Sequence, residues 1–288
     1  MQARRIRTNH IALQVQDYPH PGEAIIFLHF SGTNLMMWQR ALPYFRECYR
    51  LLLVDLRGHG KSDRPPAGYQ IDEMARDVLG VMQSLGLEQA HIVGSSLGAE
   101  VGLSLAANYP EKVRSLVCEG ALCSEYGPYS AWEGTQEEFE AHVARELAQM
   151  QTAPEPTFPS IESLVENRRQ VFEKYGWWNE YIEAAVRYGA YQAADGQYTK
   201  GFAKQAMLSY MQSYFHCRFE DYYPKVQCPL LILLGELENP REMAAIESLC
   251  ALAAQGQITV LPGWEHPYGW LLDPQPACQA VLKFFRER

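Results

Sequence analysis

The clearest chemical pattern in the sequence lies at Gly94-Ser95-Ser96-Leu97-Gly98. This G-x-S-x-G pattern follows a short apolar run, Ile92–Val93, and opens a helical pattern, Leu97–Asn108. A serine at such a strand-to-helix turn is held in a strained backbone conformation that exposes its hydroxyl. Glycines two residues to either side avoid a collision of side chains. The spacing therefore predicts that Ser96, rather than the neighbouring Ser95, is a nucleophile.

A serine hydroxyl needs a general base to become nucleophilic. Three histidines follow Ser96 in the chain, namely His142, His216 and His266. Only His266 follows a strand-like run, Ile258–Leu261. A loop after a parallel strand lies at the same edge of the sheet as Ser96. We therefore expect His266 to be the base.

The base in turn needs a carboxylate that fixes its tautomer and stabilises its protonated form. Glu238 is the first candidate, because it follows the apolar run Leu230–Leu234 in an acidic loop and gives the chain order serine, acid, histidine. Glu119 is the alternative, because it ends the strand-like segment after the nucleophile helix. Glu236 is interpreted as a loop charge.

The elements that must position these residues alternate between strand and helix. Six short apolar runs predict buried strands: Ile25–Leu28, Leu51–Val54, Ile92–Val93, Leu116–Val117, Leu230–Leu234 and Ile258–Leu261. Helical patterns separate them: Leu35–Glu47, Asp72–Leu85 with Asp72 as its N-cap, Leu97–Asn108, Arg241–Ala254 and Pro276–Arg286. His10–Gln16 alternates and predicts an antiparallel edge strand. The order predicts an α/β protein with a mostly parallel sheet flanked by helices.

The alternation stops between residues 125 and 223, which hold 20 of the 34 aromatic residues and read as four helical stretches. These stretches are Gln136–Met150, Ile161–Tyr175, Glu180–Gln192 and Phe202–Phe219. We expect a helical insertion at 125–223, with residues 1–124 and 224–288 forming the core. Such an aromatic segment is suited to lining an apolar cavity. Trp177, Trp178 and Tyr181, together with Phe30 of the core, are the predicted substrate-binding residues.

Taken together, the motifs resemble the α/β-hydrolase superfamily, and specifically its esterase and C–C hydrolase-like members that carry a cap. The motifs that carry this resemblance are Leu28–Gly32, Val54–Ser62, Gly94–Ala99, Gly235–Glu238 and Gly263–His266. The resemblance implies the α/β-hydrolase fold, with the insertion as a helical cap. It also implies that the backbone N–H groups of Phe30 and Leu97 form the oxyanion hole.

The sequence departs from the pattern of the superfamily in three respects. Phe30 replaces a glycine, Glu238 replaces an aspartate, and Trp264-Glu265 precedes His266 where a small residue is common. The serine at position 96 disfavours dehalogenase and epoxide hydrolase activity, because those relatives carry aspartate there.

The composition of the chain narrows the possible classes of function and partner. With 34 acidic and 25 basic residues, a net charge of −9 disfavours nucleic-acid binding. The seven cysteines are dispersed and predict neither disulfides nor a zinc site, and no metal or organic cofactor is expected. No signal peptide or apolar run of the roughly 20 residues needed to span a membrane is visible, so we expect a cytoplasmic protein. A homodimer is left open.

The predicted function is a serine hydrolase that cleaves a small, partly apolar ester. The sequence is compatible with two alternative functions. One is a C–C bond hydrolase, lactonase or lyase that uses the same three side chains, and the other is a ligand-binding receptor on the same fold.

Overall fold

The computed structural model describes residues 1–120, 122–237 and 239–287. Its strands are β1 (Gln2–Thr8), β2 (Ile11–Tyr18), β3 (Ala24–Leu28), β4 (Arg50–Val54), β5 (Ala90–Ser95), β6 (Val113–Glu119), β7 (Tyr191–Gln192), β8 (Tyr198–Thr199), β9 (Leu230–Leu234) and β10 (Gly256–Val260). Its helices are α1 (Leu42–Phe45), α2 (Ile71–Ser84), α3 (Leu97–Asn108), α4 (Gln136–Thr152), α5 (Ile161–Glu173), α6 (Glu180–Gly189), α7 (Lys204–Tyr214), α8 (Pro240–Cys250), α9 (Gly269–Leu272) and α10 (Gln275–Arg286).

Eight of the strands form one sheet in the order β1-β2-β4-β3-β5-β6-β9-β10. β2 pairs antiparallel with β1 and β4, and the pairs from β4 to β10 are parallel. Because parallel strands end at the same edge, the loops after β3, β5, β6, β9 and β10 meet there. The α/β fold with a mostly parallel sheet, predicted from the alternation of strands and helices, is confirmed.

Both faces of the sheet are buried, which explains why its central strands are continuously apolar. In β9, Leu230, Ile232 and Leu234 face one apolar cluster, and Leu231 and Leu233 face the other. All five of these side chains are buried. Helices therefore cover the sheet on both sides, and its functional groups can reach solvent only at its edges.

The structure differs from the predictions near the N-terminus. The strand predicted at His10–Gln16 is β2, but it is an interior strand, because the polar β1 lies outside it. Helix α2 begins at Ile71 with Gln70 as its N-cap, so Asp72 lies inside the first turn. The helix predicted over Leu35–Glu47 is divided into a short 3₁₀ turn and α1.

Helices α4 to α7 lie between β6 and β9 in the chain, together with the two-residue strands β7 and β8, which the sequence pattern did not indicate. Side chains join this segment to the sheet layer. Asn34 donates to the carbonyl of Ala185 on α6 at 2.8 Å, and Tyr188 of α6 donates to buried Asp55 at 2.8 Å. Among the described residues, no helix is long and apolar enough to cross a membrane.

Candidate active site

Ser96 occupies the turn between β5 and α3 with φ 49° and ψ −118°. This backbone conformation is rare for a residue with a side chain and costs about 1–3 kcal/mol. A Cβ added at Gly94 would lie 2.3 Å from the carbonyl oxygen of Gly98, and one added at Gly98 would lie 2.1 Å from that of Leu28. The two glycines are therefore required because β3, β5 and α3 approach one another closely at this turn.

Ser95 is fully buried at the end of β5, and its hydroxyl donates to Oε2 of Glu119 at 2.5 Å. The two residues are register partners on β5 and β6. The hydroxyl of Ser95 therefore points into the sheet edge and is engaged there, whereas Ser96 lies at the turn.

The loop that carries Phe30 is fixed by two buried imidazoles. His29 accepts from the N–H of Leu56 at 3.0 Å through Nε2, so Nδ1 carries the proton and donates to the carbonyl of Phe30 at 2.8 Å. Burial lowers the pKa of His29 to about 4, which keeps this ring neutral. His59 accepts from the N–H of Gly32 at 3.1 Å. These contacts hold the loop beside the first turn of α3, whose leading N–H groups have no partner within the helix.

The loop that follows β4 stabilises the same region. Asp55 accepts from the N–H groups of Leu35 at 2.8 Å and Lys61 at 2.9 Å, while the buried Arg57 pairs with Asp77 at 2.6 Å. Asp55, Arg57 and His59 therefore hold turns together rather than facing the cavity beside Ser96.

His266 follows β10, and its Nδ1 lies 2.6 Å from Oε1 of Glu119. Because a carboxylate can only accept, Nδ1 carries the proton and Nε2 is left free to accept another. Burial lowers the pKa of His266, but the hydrogen bond and charge of Glu119 outweigh burial, with a further contribution from the charge of Glu242. The net result is a His266 pKa above its ordinary value.

The carboxylate beside His266 is thus that of Glu119, the alternative acid of the sequence prediction. Glu119 is the last residue of β6 and is fully buried. Glu238, the first candidate, lies outside the described residues. Glu236 in the same loop accepts from the N–H of Gly263 at 3.3 Å.

Ser96 and His266 line the same cavity, which has a volume of about 250 Å³. The other described residues of its wall are Glu100, Gly120, Leu122, Tyr214, Leu234, Gly235, Leu237 and Glu242. The described wall holds two carboxyl groups besides the candidate catalytic residues and contains neither lysine nor arginine. It therefore offers no lysine or arginine to pair with an anionic group.

Glu100 lies one helical turn after Ser96 and is only 3% exposed. Burial raises its pKa to about 8, against the opposing hydrogen bond from Tyr210, whose hydroxyl lies 2.8 and 3.0 Å from the two carboxyl oxygens. At neutral pH this carboxyl group is therefore mostly protonated. This contact could not be predicted from the sequence, because Tyr210 lies 110 positions further along the chain.

The four aromatic residues predicted to bind substrate lie away from the described wall of this cavity. Phe30 lines a separate cleft of about 260 Å³, where its ring packs edge-on against Tyr268 at 5.1 Å. Trp177 packs against Tyr268 at 5.1 Å, while Trp178 and Tyr181 contact the guanidinium groups of Arg169 and Arg40, respectively. The role of these four side chains in binding stays a prediction.

The fold and this arrangement define a known class of protein. Residues 23–270 match the family described as having the alpha/beta hydrolase fold, and the chain belongs to that family. Among curated proteins it is similar to 2-(acetamidomethylene)succinate hydrolase of Mesorhizobium japonicum, with 27% identity over an alignment 287 residues long that covers 98% of this chain and 94% of that protein. A crystal structure of E-2-(acetamidomethylene)succinate hydrolase aligns with a TM-score of 0.77 and 25% identity over 99% of both chains.

Two shorter similarities are to other hydrolases. The chain is 36% identical over 110 residues to 3-oxoadipate enol-lactonase 2 of Acinetobacter baylyi, covering 38% of this chain and 41% of that protein. It is 40% identical over 103 residues to a 2-hydroxy-6-oxononadienedioate/2-hydroxy-6-oxononatrienedioate hydrolase of Paraburkholderia phymatum, covering 34% and 36% of the two chains. The relatives support hydrolase activity for this chain.

Proposed function

We propose that this protein is a serine hydrolase that cleaves a small, partly apolar ester through an acyl-enzyme. Ser96 is the nucleophile, His266 the base and Glu119 the acid. The backbone N–H groups of Phe30 and Leu97 are the proposed oxyanion donors. The observation that carries the proposal is the 2.6 Å contact of Glu119 with His266, in a cavity that Ser96 also lines.

The proposed reaction has two balanced halves. Nε2 of His266 accepts the proton of Ser96 as its oxygen attacks the carbonyl carbon, and the tetrahedral oxyanion is stabilised by the two N–H donors. The protonated imidazole then gives its proton to the leaving alcohol, which leaves the acyl group on Ser96. A water molecule, deprotonated by the same nitrogen, releases the acid and restores the serine.

The cavity favours a neutral substrate over an anionic one. The succinate named for the Mesorhizobium relative is an anion, whereas the described wall of the cavity here contains Glu242 and no lysine or arginine. Glu100 contributes little charge at neutral pH, because it is mostly protonated. Like charges in a partly buried site cost several kcal/mol. We therefore infer that the group bound beside Ser96 in this chain is uncharged.

Residues 125–223 are proposed to act as a cap over this site. Their helix α7 supplies Tyr214 to the cavity wall and Tyr210 to Glu100 beneath it. The segment thereby contributes to the shape of the cavity, while the sheet edge supplies the candidate catalytic groups.

A second candidate, favoured by the enol-lactonase and C–C hydrolase relatives, keeps the same three side chains and changes the bond that is cleaved. Parallel assays of neutral esters, lactones and vinylogous diketones distinguish the two candidates. The bond class with the highest kcat/KM identifies the reaction.

The test of the proposed function is the activity of Ser96→Ala on that panel. Losing the nucleophile is expected to reduce kcat by several orders of magnitude, whichever bond is cleaved. A variant that turns over the panel like the parent contradicts the proposal, and a parent without any turnover favours a ligand-binding protein on the same fold.

A further inference from the structure

The carboxylate of Glu119 has an unusual environment for a buried charge. Its Oε1 accepts from Nδ1 of His266 at 2.6 Å and from the indole N–H of Trp264 at 2.9 Å. Its Oε2 accepts from the hydroxyl of Ser95 at 2.5 Å and from the indole N–H of Trp270 at 3.3 Å. An ionised carboxylate has about four acceptor sites, so these four donors occupy all of them.

All four donors are side-chain groups, and two of them belong to residues close in sequence to the other candidate catalytic residues. Ser95 directly precedes Ser96, and Trp264 lies two residues before His266. Glu119 thus binds the nucleophile turn through one oxygen and the histidine loop through the other. The backbone reinforces the first link, because the N–H of Ser96 donates to the carbonyl of Glu119 at 2.8 Å.

We propose that Ser95, Trp264 and Trp270 are positioning residues that hold the Glu119 carboxylate in the orientation that presents Oε1 to His266. This inference rests on the proposed function, in which Glu119 is the acid. It also explains a departure noted in the sequence: a tryptophan stands at 264, where a small residue is common, because its indole N–H is the second donor to Oε1.

The pH profile of kcat/KM distinguishes a positioning role of these residues from a role in packing alone. The charged groups that face His266 are Glu119 from β6 and Glu242 from α8. Removing a donor frees the Glu119 carboxylate to turn away from the imidazole, which weakens the contact that raises the pKa of His266. That pKa then falls toward its ordinary value, and the acidic limb of the pH profile of kcat/KM moves to lower pH.

The experiment compares three single variants, each of which removes one donor and keeps most of the side-chain volume: Ser95→Ala, Trp264→Phe and Trp270→Phe. A hydrogen bond to a charged group is a strong one, so kcat is expected to fall about tenfold or more for Ser95→Ala and Trp264→Phe. Trp270→Phe is expected to have the smallest effect, because its contact is the longest. KM should change less than kcat in all three variants.

Trp38 provides a matched control within the same cluster. It is fully buried, packs edge-on against Trp270 at 4.8 Å, and its indole N–H has no hydrogen-bond partner among the described residues. Trp38→Phe therefore changes the packing without removing a donor from Glu119. We expect it to leave the acidic limb of the profile in place.

Rescue by a conservative variant separates donor loss from misfolding. Ser95→Thr restores a hydroxyl at a strand position that tolerates branching, so it should recover much of the kcat lost in Ser95→Ala and return the acidic limb toward that of the parent. If either tryptophan variant fails to fold, the two Ser95 variants still decide the question.

The proposal is overturned if the donor variants lose no more kcat than Trp38→Phe, or if their acidic limbs do not move. It is also overturned if Ser95→Thr behaves like Ser95→Ala. A failure of the proposed function looks different, because Ser96→Ala would then retain the activity that these variants are used to measure.

Discussion

Replacing Glu119 by glutamine tests which carboxylate supports His266. The side chain keeps its shape, but one of its two oxygens becomes an NH₂ group. Whichever way the amide turns, one indole N–H, that of Trp264 or of Trp270, then faces the NH₂ group instead of an acceptor. If the NH₂ group faces His266, the ring must also adopt the wrong tautomer, with its proton on Nε2.

The expected loss of activity follows from the charge and the tautomer. A unit charge about 4 Å from the imidazolium contributes about 4 kcal/mol at an effective dielectric constant of 20, which corresponds to roughly 10³-fold in rate. In a serine protease, the wrong tautomer costs about 10⁴-fold. We therefore expect Glu119→Gln to reduce kcat by roughly 10³- to 10⁴-fold. The buried indole N–H left without an acceptor should also lower the free energy of unfolding by about 1–3 kcal/mol.

The assay is steady-state hydrolysis of the best neutral ester, measured well below the midpoint of thermal unfolding of each variant. Glu238→Gln is the matched control, because it makes the same chemical change at the other candidate acid. It should retain a kcat close to that of the parent. The reasoning is refuted if Glu238→Gln loses activity by orders of magnitude while Glu119→Gln remains near the parent.

Three further predictions concern pH, substrate charge and stability. As the proposed base, His266 must be neutral, and its pKa is raised, so the midpoint of the acidic limb of kcat/KM should lie above pH 6.5. Glu242→Gln should move that midpoint to lower pH. Hydrolysis of 4-nitrophenyl butyrate should exceed that of the nearly isosteric 4-nitrophenyl hemisuccinate by about tenfold or more in kcat/KM; a preference for the anion would contradict the inferred neutral subsite. Arg57→Met should lower the free energy of unfolding in denaturant titrations by about 3–5 kcal/mol, since it leaves the buried Asp77 unpaired. The double variant that also carries Asp77→Leu should recover part of this loss, and equal stability of the single variant and the parent would show that the pair is unimportant.

The sheet was predictable from the sequence because its central strands are buried on both faces. Runs such as Leu230–Leu234 are uniformly apolar, and the structure places a strand over those same residues. Strand β1 could not be predicted, because most of its side chains are exposed and polar, so neither an apolar run nor a clear alternation marks it. The turn at Ser96 was predictable because close backbone contact leaves glycine as the only residue that fits on both sides.

The sequence left the choice of the acid open because Glu119 ends one strand and Glu238 follows another, and parallel strands end at the same edge of the sheet. The choice depends on which carboxylate meets the imidazole, and Glu119 lies 147 positions from His266 along the chain. The roles of Ser95 and Trp270 were invisible for the same reason, since their donors converge on Glu119 only after the sheet has formed. A serine next to the predicted nucleophile is a weak signal in a sequence, and so are tryptophans near the histidine. Such residues also occur in protein cores without any catalytic role.

The most direct test of the central claim is covalent trapping of the proposed nucleophile, Ser96. The parent protein is treated with a fluorophosphonate, digested, and analysed by mass spectrometry to locate the adduct, with Ser96→Ala and Glu119→Gln treated in parallel. We predict stoichiometric modification of the parent at Ser96, none at that position in Ser96→Ala, and much slower labelling of Glu119→Gln. An unmodified parent under conditions that label a known serine esterase, or an adduct on another residue, would contradict the account.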